Sequence, residues 1–108
     1  TMSLAIKFKA AGGYVELMKQ DTGLYLMTPD TTYYLNEVEV AGLVRCLKTA
    51  ANVLGAINIS DSGITIHVDR ESFGKSIAIR REYDGVFLDI EAPYTQVLSA
   101  IRAVMEDK

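Results

Sequence analysis

Hydrophobic and polar positions alternate with a period of two from the start of the chain. Leu4, Ile6 and Phe8 are separated by Ala5 and Lys7 and followed by Lys9, which gives an extended strand one apolar and one polar face. Gly12-Gly13 interrupts the pattern, Val15 and Leu17 resume it, Asp21-Thr22-Gly23 interrupts it again, and Leu24 and Leu26 follow. Pro29-Asp30 leads to a fourth apolar stretch around residues Tyr33 to Leu35. Short alternating runs punctuated by Gly, Asp and Pro predict a meander of antiparallel strands. The period then changes to that of an amphipathic helix, with Val40, Leu43, Val44, Leu47, Ala50, Ala51 and Leu54 on one face. Asn36 with Glu39 three positions later suits a capped start, and Gly55 suits the stop.

The second half repeats this order. Ile57 and Ile59 precede a turn at Asp61-Ser62-Gly63, then come Ile64, Ile66 and Val68, a loop at Arg70 to Lys75, and a third strand with Ile77 and Ile79. Asp84-Gly85 suits a tight hairpin turn before Val86, Leu88 and Ile90. Pro93 then opens a helix with apolar positions Tyr94, Val97, Leu98, Ile101, Val104 and Met105.

The halves also echo each other residue by residue. Ala5-Ile6-Lys7-Phe8 matches Ala56-Ile57-Asn58-Ile59, Leu24-Tyr25-Leu26 matches Ile77-Ala78-Ile79, and Leu43, Val44 and Leu47 match Val97, Leu98 and Ile101. The offset grows from 51 to 53 to 54, as two small loop insertions would produce. The expected fold is α+β, a tandem ββββα-ββββα repeat with antiparallel sheets packed on two helices. It forms a single domain over 1–108, built from repeats 4–54 and 56–106, since a half of this size buries little by itself.

Composition narrows the function. Half of the 108 residues are hydrophobic (49%), enough for one core, and 11 Lys and Arg against 14 Asp and Glu give a net charge of −3. No global attraction to nucleic acid or to an anionic membrane follows from that balance, so any anion binding has to be local. Residues up to 54 carry five basic and five acidic side chains, and the remainder carry six and nine. A single cysteine, Cys46, and a single histidine, His67, offer no internal disulfide and no metal-ligand cluster. Without a membrane-length apolar run or a basic-then-apolar leader, the expectation is a cytoplasmic protein with no cofactor.

Candidate chemistry lies on the outward strand faces. In the first half they carry Lys7, Lys9, Tyr14, Glu16, Met18, Tyr25, Met27 and Tyr34, more aromatic and thioether surface than a solvated sheet normally holds. Interleaved tyrosines and lysines suit single-stranded nucleic acid, because bases stack on rings while cations track phosphates. They suit a protein or oligomer interface equally. The second half's outward face, with Asn58, Thr65, His67, Asp69, Arg80 and Phe87, is more polar.

The segment from Gly63 through Ile101 carries the basic-aromatic run Lys75-Ser76-Ile77-Ala78-Ile79-Arg80-Arg81-Glu82-Tyr83, then Gly85-Val86-Phe87-Leu88 and a closing helix. With the element order of nearly the whole chain, it resembles the Whirly-type single-stranded-DNA-binding proteins, a group that includes Whirly proteins, PUR-alpha proteins and positive-coactivator-type cofactors. The resemblance implies two ββββα units with helices inward and sheets presented to an extended strand of DNA or RNA. By position it implies Lys7, Lys9, Tyr25, Lys75, Arg80 and Arg81 as contacts, to which the outward face adds Tyr14 and Tyr34. The expected protein is a homo-oligomer, dimer or tetramer, without enzymatic activity. The net charge of −3 departs from that group's usual basic balance. The order around Ile57, Asp61-Ser62-Gly63 and Val97 to Ile101 also resembles one domain of a DNA sliding clamp. That likeness is weakened by four strands preceding any helix.

The remaining reactive residues read as structural. His67 is outward with no Cys or second His beside it, and Cys46 lies inside a helix next to Leu47, as a small, partly buried thiol. Asp69, Glu71, Glu82, Asp84, Asp89 and Glu91 fall beside turns and strand ends, where acids are normally solvated. Neither Gly12-Gly13 nor Gly74-Lys75 meets a phosphate-loop pattern. Arg80 and Arg81 must point to opposite faces. A structural reading pairs Arg81 with a carboxylate such as Glu91, and a functional one aims Arg80 at phosphate.

Overall fold

The computed structural model describes residues 4–71, 74–83 and 86–106. It is α+β, with two four-stranded antiparallel sheets and two helices. Strands β1 (Ala5–Ala10), β2 (Gly13–Gln20), β3 (Gly23–Met27) and β4 (Thr32–Leu35) form sheet A in sequential order, followed by helix α1 (Glu37–Ala50). Strands β5 (Ile57–Asp61), β6 (Ile64–Glu71), β7 (Gly74–Tyr83) and β8 (Val86–Pro93) form sheet B in the same manner, followed by α2 (Tyr94–Glu106). Among the described residues no helix is long and apolar enough to cross a membrane.

The turns follow their residues. Ser62 and Gly63, between β5 and β6, hold φ of 52° and 81°, the positive pair that matches the right-handed twist of a two-residue hairpin. In the β1–β2 turn of Ala11 and Gly12, by contrast, Gly12 alone is positive, at 88°. The Asp84-Gly85 turn, Ser72-Phe73 in the second-half loop and the side chain of Phe87 lie outside what is described. The ladder itself shortens that loop, since Arg70↔Lys75 and Glu71↔Gly74 are paired.

The registers correct the offset. Glu71 and Gly74 lie 51 positions after Gln20 and Gly23, the corresponding closing rungs, so the register keeps 51 into the third strand, where the sequence echo suggested 53. The length difference falls further on. β3–β4 ends at Met27↔Thr32, whereas β7–β8 runs five rungs past Ala78↔Glu91, to Tyr83↔Val86.

Alternation sends Phe8, Val15, Leu17, Leu24, Leu26 and Leu35 of sheet A, and Ile64, Ile66, Val68, Ile77, Ile79 and Ile90 of sheet B, into the core. There they meet Val40, Leu43, Leu47 and Ala50 of α1 and Val97, Ala100, Ile101 and Val104 of α2. Each helix makes its most extensive contacts with strands of the other half, α1 with β5 and β6 and α2 with β1 and β2. Gly42 lets α1 approach the β5–β6 turn, where a Cβ would stand 2.6 Å from the Asp61 carbonyl oxygen. Lys19 of β2 donates to the Met105 carbonyl at 3.4 Å, and the Ala11 amide of the β1–β2 turn donates to the Glu91 carbonyl of β8 at 2.8 Å.

Helix α1 starts as its sequence suggests. Asn36 Oδ1 accepts from the Glu39 amide and Glu39 Oε1 accepts from the Asn36 amide, a reciprocal capping box. Its end does not. The helix stops at Ala50, and Leu54, assigned to its apolar face from spacing, is 82% exposed. The Lys75 ammonium donates to the carbonyls of Ala50 and Ala51 at 2.9 and 2.7 Å, and Tyr94 Oη donates to that of Leu47 at 2.7 Å. Together with the amides of Ala51, Asn52 and Val53, which donate to the carbonyls of Lys48, Thr49 and Ala50, these side chains satisfy the last turn's orphan acceptors without a glycine.

Candidate functional site

The outer face of sheet A is organised in rungs. Lys9 is opposite Tyr14, Lys7 is opposite Glu16 and then Met27, and Met18 is opposite Tyr25 and then Tyr34. Five of the eight residues proposed from sequence as contacts (Lys7, Lys9, Tyr14, Tyr25 and Tyr34) therefore share one surface. Tyr14 is 61% exposed, Tyr34 is also exposed, and Tyr25, Met18 and Met27 are half-buried between neighbours. The Tyr25 and Tyr34 rings sit 5.0 Å apart, tilted by 55°, a favourable aromatic pair. Gly23 makes room for this arrangement, because a side chain there would collide with the Tyr34 hydroxyl. Lys7 keeps 65% exposure with Glu16 at 3.8 Å, a separation at which the pair restrains the lysine little.

The other three proposed contacts lie elsewhere. Lys75 is engaged at the end of α1, with its ammonium 5.7 Å from the Tyr94 ring centre. Arg81 turns to the helix side of β7, as alternation with Arg80 requires, but its partner is not Glu91. Its Nη1 donates to Glu39 Oε2 at 3.0 Å and to the Tyr34 carbonyl at 2.7 Å, while its buried Nε has no partner among the described residues. Glu91 pairs in register with Ala78 on the opposite, outer face of sheet B. Arg80 is on that outer face too, beside an open hollow of about 490 Å³ lined also by His67, Asp69 and Glu91, with Ala78 as its floor. His67 Nδ1 is 2.7 Å from Asn58 Oδ1, a satisfied histidine.

A third feature has no counterpart in the sequence reading. An open groove of about 530 Å³ separates the edge of β1 from α2, with Lys7, Lys9 and Tyr14 on one side and Thr95, Gln96 and Ser99 on the other. These helix residues are merely the polar side of an amphipathic pattern in sequence, and only the fold sets them across from the lysines.

Electrostatic perturbation is found away from these faces. Two hydrogen bonds from the Arg45 guanidinium to Asp61, at 2.6 and 3.0 Å, and a further one from Ser62 hold the Asp61 carboxyl down at about 2. Burial pushes the Cys46 thiol up and away from reactivity, and Cys46 is fully rather than partly buried. Burial likewise raises the Tyr94 phenol. Among the described residues no group of three or more His, Cys, Asp or Glu could hold a metal ion. No protein family, curated protein or solved structure was found to match this chain.

Proposed function

We propose that the chain is a non-enzymatic, cytoplasmic module that binds single-stranded nucleic acid on the outer face of sheet A, by stacking bases on tyrosines and neutralising phosphates with lysines. The observation that carries this reading is the gathering of Lys7, Lys9, Tyr14, Tyr25 and Tyr34 on one exposed sheet surface. Stacking on such rings contributes about 1–3 kcal/mol per base and tolerates any base. The finer fold reading belongs with this proposal: a Whirly-like tandem repeat of two ββββα copies forming one domain, with helices packed inward, assembled as a dimer or tetramer. It is supported by the shared 51-residue spacing of the second and third strands and by a radius of gyration of 13.0 Å, that of a compact chain of this length.

Fluorescence polarisation with labelled oligo-dT tests it. Binding is expected to weaken steeply with salt, and Lys7→Ala with Lys9→Ala should flatten the log–log salt slope by about 1.4, the loss of two phosphate contacts. Absence of binding at low salt overturns the proposal.

A protein-interaction module is the second reading, favoured by the commitment of Lys75 and Arg81 to internal carbonyls and Glu39, which leaves the methionine and tyrosine surface with fewer cations. It predicts no nucleic-acid binding and a copurifying polypeptide. A closed ring by light scattering would instead indicate the clamp-like assembly.

A further inference from the structure

We infer that the groove between the β1 edge and α2 carries the phosphate chain of the bound strand, so that the bases turn from it onto Tyr14 and the face of sheet A. The inference rests on the nucleic-acid reading above and deepens it by locating the backbone path. Three observations support it.

The first is charge. In a chain with more acids than bases, the described residues lining this groove include Lys7 and Lys9 and no carboxylate, Glu91 entering only in the adjoining hollow that shares Lys9 and Gln96. The neighbouring hollow on sheet B, by contrast, sets two carboxylates, Asp69 and Glu91, against Arg80, a balance that disfavours a phosphate. The second is the supply of hydrogen-bond donors on both walls. Thr95, Gln96 and Ser99 are exposed on the helix side and offer hydroxyl and amide hydrogens. On the strand side, the two-residue turn makes Ala10↔Gly13 the hydrogen-bonded closing pair. Alternation then directs the main-chain groups of Lys7 and Lys9 to the open edge, the side on which the Ala11 amide meets Glu91. The third is continuity, because Tyr14 lines the groove and also stands on the outer face opposite Lys9.

A second copy of the chain is a poor occupant. Antiparallel pairing of β1 with its own copy, centred on Phe8, would bring Lys7 opposite Lys9 on both sides of the axis, which is destabilising.

The test compares three double variants with wild type in oligo-dT titrations at low salt. Gln96→Glu with Ser99→Glu places two anions in the groove without touching sheet A, and affinity is expected to fall about tenfold or more. Gln96→Lys with Ser99→Lys should tighten binding and steepen the salt slope by about 1.4 if both new cations meet phosphates. Val38→Glu with Asn52→Glu, exposed positions on and just after α1, adds the same charge elsewhere and should leave affinity nearly unchanged. If wild type binds and the acidic groove variant binds equally well, or if both acidic pairs weaken binding alike, the groove assignment is overturned while the stacking reading stands. Displacement of oligo-dT by polyglutamate as effectively as by unlabelled oligo-dT would also overturn it, in favour of an acidic polypeptide. Failure of wild type to bind at all overturns the functional reading itself.

Discussion

Arg81 and Glu39 are 42 positions apart and meet with side-chain exposures of 13% and 19%, between the regimes of a surface and a buried ion pair. Removing the arginine strands a carboxylate and the Tyr34 carbonyl, so Arg81→Ala should lower unfolding free energy by about 2–3 kcal/mol in urea titrations. An unchanged midpoint would show the pair to be incidental. That one of the two arginines turns inward was readable from strand alternation. Its partner was not, because Glu39 comes from the other half's helix, where it already serves the capping box. Asp61 gives a pH signature. Its carboxyl is depressed from 3.8 to about 2 in the fold, so its contribution is complete above the ordinary carboxylate range and is lost as pH falls through the folded value. Between about pH 4 and pH 2, the melting temperature of Asp61→Asn should therefore decline less than that of wild type. Parallel declines would remove Arg45–Asp61 from the acid response.

Helix α1 shows how far local rules reach. Its start follows from Asn36 and Glu39, three positions apart. Its end is held by the Ala51 to Val53 amides and by Lys75 and Tyr94, which arrive from β7 and α2, and the local glycine signal at Gly55 misplaced it. Gly42 is a similar case, a weak point for a helix by propensity alone. In a bare helix Ala would be better by about 1 kcal/mol. Here the added Cβ would meet the Asp61 carbonyl oxygen and, at 2.8 Å, Ser62 Cβ. Gly42→Ala is accordingly expected to destabilise by about 1–3 kcal/mol, the usual range for overpacking, measured by thermal or urea unfolding. A gain in stability would mean that the β5–β6 turn yields easily. The strands were legible because each has one apolar face. So were the extra rungs of β7–β8, because the turn signal at Asp84-Gly85 sets Tyr83 opposite Val86, as the register has it.

Across the molecule, the surface of sheet A could be read from parity alone, while the groove could not, because its walls come from opposite ends of the sequence. The same closeness of opposite ends appears at the Lys19–Met105 hydrogen bond. Ala5 pairs with Met18 at the start of β1, and the next residue, Lys19, reaches the last turn of α2. The stretch from Leu54 to Ala56 that joins the halves is exposed throughout. A circular permutant opened at Gly55, with residue 106 joined to residue 4 by a short glycine–serine linker, should therefore fold to the same circular-dichroism spectrum and melt cooperatively. A broad or split transition would reveal that synthesis order matters. If the permutant folds, α1 packs against β5 and β6 irrespective of which half is made first, and the connection at Gly55 is a covalent convenience rather than a structural element.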